Sequence, residues 1–442
     1  MKRLIRFSLP FLGSAIIQQL YSTTDMIFAG WFLGSNGAAA IGSTSIIATI
    51  IIGVFTGLGV GISTHIAGLF GKKDTDQIKV AVESAVTLTF ILAIPVIGGL
   101  EFFANQILYL MHTPAEIYSD SLLYLRIYSV SAAAIIFYNI LTGIVRSLGD
   151  SLSPMWAQLF GGLLNVFSNY LFIVKLEKGI LGAAIATLLS QAVAAFVTFL
   201  FLMKRLKEKN IACNRFRISL TDDREILKVG IPTAIQACII TFSNLCVQSQ
   251  VNTLGVIPIA AFATYFKVEN FIYYPIMAIG QANAILTAQD YGSGNVKKMF
   301  SGMHQAMALG FFVSVLLAVI LIVFRIPVFG LFGNDQEVIS LGAKMMVLSF
   351  PFYFLYLIME VLSGTIRSTK DAFLPMVAVV MNMCPLRLFV LFLLMKNNIL
   401  PPGLVLLFPI TWFTTVISLS FIYIYWKKMR FGTFAYGTKY IN

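Results

Sequence analysis

The chain has 442 residues, of which 58% are apolar and only 11% are charged, and its mean hydropathy is +0.86. A typical soluble domain carries about 25% charged residues, so the composition excludes a soluble protein. Its long apolar stretches do not alternate strictly, which excludes an outer-membrane barrel. The composition therefore predicts an all-α polytopic membrane protein.

Twelve apolar windows are each long enough to cross a hydrocarbon core of about 30 Å as a helix. Basic residues precede the first window as in a signal peptide, but that window is long and carries Asp25. We therefore expect it to be retained as the first span. The windows lie at 8–33, 38–69, 80–108, 122–145, 154–174, 180–203, 229–254, 258–289, 301–324, 340–366, 374–395 and 403–426.

The lysines and arginines are distributed unevenly between the two sides of these spans. The side that holds the amino terminus has 23 of them, the other side has six, and Lys267 and Arg387 fall inside spans. The positive-inside rule then predicts a multi-pass protein of the inner (plasma) membrane with both termini cytoplasmic. The net charge of +12 is an orientation signal beside anionic membrane lipid, and we expect no nucleic-acid partner.

The sequence contains a tandem duplication. A shift of 221 residues aligns Gly143–Met155 with Gly364–Met376, and six of thirteen positions are identical. This predicts two six-helix bundles that point the same way and are related by a pseudo-two-fold axis along the membrane normal. The predicted divisions are an N-terminal bundle at 1–203, a cytoplasmic linker at 204–228, a C-terminal bundle at 229–426 and a cytoplasmic tail at 427–442.

Two parallel bundles are typical of a transporter, in which ligands bind between the repeats. A channel needs a selectivity filter, and we find no filter motif. An enzyme needs a cluster of catalytic groups, and the sequence has no paired histidines, no HExxH and no buried Ser–His pair. We therefore expect a monomeric transporter that is not an enzyme and uses no cofactor.

Motifs along nearly the whole chain resemble the multidrug and toxic compound extrusion (MATE) family. The acid in span 1, together with Ile240 where another branch has a glutamate, resembles the DinF-like branch. The resemblance implies an ion-coupled antiporter that exports lipophilic, often cationic, organic compounds by alternating access. The motifs are Asp25–Gly30, Leu33-Gly34, Ala67–Lys72, Gly143–Pro154 with its copy Gly364–Pro375, Asn165 with Asn169, Gly182–Thr187 and Gln289–Gly294.

Asp25 is the main candidate for ion coupling. It lies about 12 Å along the helix from the outer end of span 1, where a carboxylate costs on the order of 2.5–3.5 kcal/mol on insertion scales. A proton or a bound cation offsets that cost, so the residue can exchange ions as water access alternates. The structural alternative is an aspartate that is hydrogen-bonded to helix neighbours without ion exchange.

Asn165, Asn169 and Thr187 complete the candidate ion site. The two asparagines are spaced i, i+4 and share a face of span 5, and with Asp25 and Thr187 they resemble the family's cation site. The family commonly has an aspartate where this chain has Asn169. With one carboxylate instead of two, H⁺ is favoured over Na⁺ as the coupling ion, and Na⁺ remains the alternative. The structural alternative is that the amides only join spans 5 and 6.

Further polar and aromatic residues are candidates for the substrate cleft. The alternative for Lys267 and Glu269 is a structural ion pair with another helix. The alternative for Glu360 and Arg387 is a structural ion pair with each other. Aromatic side chains provide a wall for flat cations, and Pro10 is a candidate hinge in span 1 or a static kink. The predicted cleft residues are Lys267, Glu269, Glu360, Arg387, Tyr138, Phe137, Tyr265 and Tyr273.

Two other functions stay open. A lipid-linked oligosaccharide flippase of the same superfamily would share the spans, but would need a cleft rich in arginine and lysine to hold pyrophosphate. An integral-membrane transferase is the alternative from a different class, although no acidic pair or metal motif supports it.

Overall fold

A computed structural model describes residues 1–111, 113–213, 215–333, 335–397 and 401–432. Within these ranges every regular element is helical, which confirms the predicted all-α class. The helices of the first half are α1 (Lys2–Phe28), α2 (Gly34–Lys72), α3 (Thr75–Phe102), the short α4 (Ala104–Leu110), α5 (Ala115–Ser147), α6 (Leu152–Asn169) and α7 (Gly179–Glu208).

The second half repeats this order with two broken spans. A 3₁₀ turn at Phe350–Phe352 divides one span, and a π-helical turn at Asn382–Leu386 divides the next. The helices are α8 (Leu220–Val251), α9 (Val256–Gly292), α10 (Val296–Val323), the short α11 (Arg325–Gly330), α12 (Gln336–Ser349), α13 (Tyr353–Arg367), α14 (Phe373–Met381), α15 (Arg387–Lys396) and α16 (Leu407–Phe431). Together the described helices form the twelve predicted spans.

Most of these spans are apolar enough to cross a membrane. Ten of them, each 24 to 35 residues long, meet the required length and hydropathy within the described part of the chain. The two helices outside that group are α1 and α9, which contain Asp25 and the pair Lys267 and Glu269, respectively. Three charged candidates of the sequence, Asp25, Lys267 and Glu269, therefore lie in long helices outside that group, whereas Glu360 and Arg387 lie within it.

The backbone repeats its special turns at the predicted shift of 221 residues. Left-handed φ values occur at Lys73 and Gly294, and again at Gly149 and Lys370. The residues that follow the first pair, Asp74 and Asn295, cap the third helix of each half by accepting a hydrogen bond from a main-chain N–H. Such side-chain caps satisfy main-chain donors that a helix amino terminus leaves unpaired. The duplication is therefore retained in the turns that position the helices.

The chain divides into two compact units whose boundaries fall inside helices. The first unit comprises Arg6–Ala234 with Gly292–Gly294, and the second comprises Met1–Ile5, Ile235–Tyr291 and Asn295–Asn442. The first helix of each half, α1 or α8, thus begins in one unit and continues in the other. The bundle and linker boundaries drawn from the sequence remain a prediction.

Close packing within the first unit explains why the start of α8 belongs to it. A Cβ at Gly61 of α2 would lie 2.3 Å from the carbonyl oxygen of Ile226, and one at Gly57 would lie 2.3 Å from the main-chain nitrogen of Ala234. Only glycine permits this approach of two helix backbones. In the second unit, Arg3 at the start of α1 is held by Asp290, with an N–O distance of 2.8 Å.

Candidate ion site and second polar cluster

Asp25 lies in the last turn of α1, directly before a π-helical turn at Ala29–Leu33. Its side chain is partly buried, and its Oδ1 accepts a hydrogen bond from Nδ2 of Asn169. A second π-helical turn, Tyr170–Lys175, follows Asn169 immediately. Single π-helical turns are frequent at functional sites, and here they flank both partners of this hydrogen bond.

The two asparagines of α6 extend the contact into the interior of the first unit. Asn165 and Asn169 are 0% and 1% exposed, and Nδ2 of Asn169 also donates to Oδ1 of Asn165 at 3.1 Å. Within the described residues Nδ2 of Asn165 has no hydrogen-bond partner. The structure therefore brings Asp25, Asn165 and Asn169 into one chain of amide and carboxylate groups, with an unused donor at its inner end.

Thr187 lies near this group but bonds within its own helix, since its hydroxyl donates to the carbonyl of Ala183 at 3.1 Å. Two tyrosines that the sequence analysis did not identify surround the acid. Tyr124 interacts electrostatically with Asp25 and also contacts Thr187. Tyr21 interacts with Asp25 as well, and its hydroxyl accepts a hydrogen bond from Gln191 at 3.0 Å.

Only one of these tyrosines could have been identified from the sequence as a neighbour of Asp25. Tyr21 precedes Asp25 by four residues, so the two share a face of α1. Tyr124 comes from α5 and could be found only from the tertiary structure. Both phenols offer hydroxyl groups that can donate to or accept from a carboxyl group or its ion.

In the part of the chain that the structure describes, no basic side chain pairs with Asp25. Among the ion pairs of the described residues none involves this carboxylate, and its hydrogen-bond partner there is a neutral amide. A carboxylate without a fixed counter-charge in an apolar helix is costly, and it can lower that cost by taking up a proton or a small cation. Carboxylate, amide and hydroxyl oxygens are also suitable ligands for such a cation.

The region around Pro10 is held by Arg146 of α5. The guanidinium group lies 3.8 Å from the centre of the Phe11 ring, and Nη2 donates to Oγ of Ser14 at 3.2 Å. Oγ of Ser14 in turn donates to the carbonyl of Pro10 at 2.9 Å. Proline already removes one main-chain hydrogen bond from the helix, so Arg146 fixes α1 where it is most easily bent.

A second polar cluster lies in the second unit, around Glu269 of α9. The hydroxyl of Tyr353 donates to Oε1 of Glu269, and the fully buried Tyr265 exchanges a 2.7 Å hydrogen bond with Ser349. Lys267 is exposed on another face of the same helix, 5.9 Å from the ring centre of Phe332. The two charged residues of α9 therefore have different surroundings.

Arg387, at the start of α15, is 3% exposed. Nη1 donates to Oδ1 of Asn244 at 2.8 Å, Nη2 contacts Sδ of Met383, and the guanidinium group lies 5.2 Å from the ring centre of Phe408. Within the described residues Nε has no partner, and no ion pair joins Arg387 to Glu360.

The remaining predicted cleft residues fall into separate places. Glu360 interacts with Arg367 and Tyr356, and Tyr356 also packs on Tyr273 with ring centres 5.4 Å apart. Tyr138 and Phe137 belong to the first unit. The first is buried and donates to the carbonyl of Pro154 at 3.4 Å, and the second packs on Phe90 with ring centres 4.4 Å apart. Their roles in substrate binding remain predictions.

Comparison with known proteins assigns the class. The MatE family model matches residues 10–171 and, separately, residues 232–393. The chain therefore belongs to the MatE family of membrane transporters, and each half carries one copy of its characteristic sequence. This confirms the family that the motifs indicated, although nothing in the match distinguishes the DinF-like branch.

Individual relatives agree with this assignment. The chain is 26% identical over 381 residues to the probable multidrug resistance protein YoeA of Bacillus subtilis, covering 84% of this chain and 82% of the relative. It is 24% identical over 370 residues to the multidrug export protein MepA of Staphylococcus aureus, covering 83% and 81%.

Solved structures show the same fold. An outward-facing multidrug resistance MATE transporter of the MOP superfamily matches with a TM-score of 0.88, 23% identity and coverage of 97% of this chain and 95% of that one. A MOP superfamily transporter from Pyrococcus furiosus matches with a TM-score of 0.85 and 23% identity, covering 98% and 96%. The twelve-helix transporter fold is thus established for this chain.

Proposed function

We propose that this protein is an ion-coupled antiporter that exports lipophilic, often cationic, organic compounds across the plasma membrane. The observation that carries the proposal is Asp25, an acid in a membrane helix whose partner is the neutral amide of Asn169. The multidrug names of its relatives support the class of cargo. The protein works as a monomer with both termini in the cytoplasm, and its units alternate between inward and outward access.

The hydrogen bond to Asn169 suggests how ion binding is transmitted. A charged Asp25 accepts from Nδ2 of Asn169. A protonated carboxyl group keeps an acceptor oxygen but gains an O–H donor, and an amide can accept from that donor only through its oxygen. Asn169 then turns its Oδ1 towards Asp25 and gives up its present bond to Asn165. Protonation therefore rearranges the contact between α1 and α6, and the bend of α1 at Pro10 responds to it.

H⁺ is the favoured coupling ion, with Na⁺ as the alternative. The cluster offers one carboxylate, and the amide group that faces it is a donor, which repels a metal ion. A proton needs only the acid and a new acceptor, whereas Na⁺ needs several oxygens turned towards one point. Linkage then requires the ion and the organic cation to weaken each other's binding.

Transport in liposomes tests the proposal. Purified protein is reconstituted, a pH gradient or a Na⁺ gradient is imposed, and ethidium movement is recorded. We expect the pH gradient to drive export, and Asp25→Asn to reduce it to background. Asp76→Asn, which removes an exposed carboxylate at the start of α3, should export normally. Unchanged export by Asp25→Asn would refute the coupling role, and export driven only by Na⁺ would replace H⁺ as the ion.

A further inference from the structure

The two repeats place their buried charges on equivalent pairs of helices, with opposite sign. In the first repeat, Asp25 of the first helix meets Asn169 of the fifth. In the second repeat, Asn244 of α8, its first helix, meets Arg387 at the start of α15 in its fifth span. A carboxylate and an amide in one half thus correspond to an amide and a guanidinium group in the other.

Arg387 has fewer partners than a buried arginine requires. A guanidinium group has five N–H donors and always carries its charge. The described partners are one amide oxygen, a thioether sulfur and an aromatic face, and Nε has none. A buried charge without a counter-charge is strongly destabilising. The guanidinium group is therefore suited to bind an anionic group that accepts hydrogen bonds.

Glu269 does not supply this group. It attracts Arg387 electrostatically, but its recorded hydrogen bond comes from Tyr353, and no ion pair joins it to Arg387 within the described residues. The attraction offsets part of the positive charge at longer range. Within the described residues, neither Nε nor Nη2 of Arg387 has an oxygen acceptor.

We propose that Arg387 and Asn244 form an anion site that binds the carboxylate of an aromatic organic ligand. The Nε and Nη2 edge matches the two oxygens of a carboxylate, which is the strongest geometry for this pair. Asn244 is exposed whereas Arg387 is 3% exposed, so a ligand approaches along the Asn244 side of α8 and reaches this edge when the thioether of Met383, which contacts Nη2, moves aside. Rings beside the guanidinium group, Phe408 and then Trp412, provide an aromatic wall for the rest of the ligand.

This site extends the proposed export function to cargo that carries a carboxylate beside its positive charge. A matched pair of dyes isolates that group, since rhodamine 123 is the methyl ester of rhodamine 110. Both have the same cationic ring system, and only rhodamine 110 has a free carboxylate. Fluorescence polarisation with purified full-length protein in detergent gives both dissociation constants without any ion gradient, so the outcome is independent of the coupling role of Asp25.

We expect Arg387→Gln to weaken rhodamine 110 binding about tenfold, as for loss of a charge-assisted hydrogen bond. Its affinity for rhodamine 123 should change less than about twofold. Asn244→Ala should act in the same direction more weakly. The control, Arg325→Gln, removes the same charge at a partly exposed position and should leave both affinities unchanged. Equal weakening of both dyes by Arg387→Gln, or an equal effect of Arg325→Gln, would overturn the proposal.

A chloride titration against gluconate identifies the occupant. If chloride displaces rhodamine 110 from the wild-type protein but not from Arg387→Gln, the site also accepts an inorganic anion. If chloride has no effect on the wild-type protein, the site is selective for the organic carboxylate. Chloride competition that is equal in both proteins would contradict a site at Arg387. Should Arg387→Gln not fold, Arg387→Lys, which keeps the charge but loses the planar edge, should selectively weaken rhodamine 110.

Discussion

The two repeats share their turns but differ in the charges that they bury. Left-handed residues and helix caps recur at a shift of 221 residues, whereas Asp25 in the first repeat corresponds to a neutral part of α8 in the second. In place of an acid, the second repeat buries Arg387 beside Asn244. After the duplication, the residues that shape these turns therefore changed little, while the charged residues inside the spans diverged.

The difference suggests a division of labour between the halves. A carboxylate with an amide partner can gain or lose a proton, whereas an arginine keeps its charge at every accessible pH. The first half is thus suited to exchanging the coupling ion and the second to holding a group of fixed charge. Moving or removing one feature of either half tests this comparison.

Removing the carboxylate at position 25 and then placing one at position 169, on the other side of the hydrogen bond, should give the largest effects. Asp25→Asn alone is expected to reduce pH-driven ethidium export to background, because it removes the carboxylate of the cluster. Asn169→Asp in the same chain returns one carboxylate, now on α6, and should restore at least about a tenth of wild-type export, since the pair of partners is unchanged. Transport in reconstituted liposomes measures both. Equal inactivity of the single and double variants would mean that the position of the acid on α1 is essential.

Adding a second carboxylate to the first repeat should change its ion preference. Asn169→Asp in the otherwise unchanged chain places two carboxylates together, which favours a bound cation and supplies the oxygens that Na⁺ prefers. We expect the Na⁺ concentration for half-maximal export to fall about tenfold. The matched control is Asn382→Asp, which changes a partly buried asparagine in the fifth span of the second repeat and should leave the Na⁺ response unchanged. An equal shift in both variants would indicate a general effect of charge.

The equivalent arginines Arg146 and Arg367 should differ in importance. Arg146 lies over Phe11 and bonds to Ser14, whereas the recorded partner of Arg367 is a longer-range interaction with Glu360. Because lysine keeps the charge but loses the planar stacking surface, Arg146→Lys should lower the maximal export rate about threefold to tenfold. Arg367→Lys should change it less than twofold, by the same reasoning. Equal rates in the two variants would show that the contact at Pro10 does not limit transport.

Much of the fold could be predicted from the sequence because hydropathy dominates in a membrane protein. The predicted window 154–174 and the observed helix with its π turn, Leu152–Lys175, differ by one or two residues at each end. Short helices such as α4 and α11 were not predicted, since seven and six residues are too few to show a helical period. The boundary between units inside α8 depends on the close approach of its main chain to glycines of α2, which are distant in the sequence.

Only part of the candidate ion site could be predicted from the sequence. A lone acid in an apolar window identifies Asp25, and the i, i+4 spacing groups Asn165 with Asn169. Neither pattern reports that Asn169 donates to Asp25, because the two are 144 positions apart and meet only in the folded chain. The partnership of Arg387 with Asn244 is hidden for the same reason, and the sequence suggested Glu360 as a partner instead.

The two equivalent helix caps should give the smallest and most similar effects. Asp74 and Asn295 each accept one main-chain hydrogen bond, from Gln77 and Lys298, at 3.0 and 2.9 Å. Asp74→Ala and Asn295→Ala should each lower the free energy of unfolding by about 1 kcal/mol. Chemical unfolding of the purified protein in detergent measures the loss, and Asp76→Ala, beside the cap, should stay within about 0.5 kcal/mol of wild type. A loss at one cap alone would mean that the repeats have diverged in their turns as well as in their buried charges.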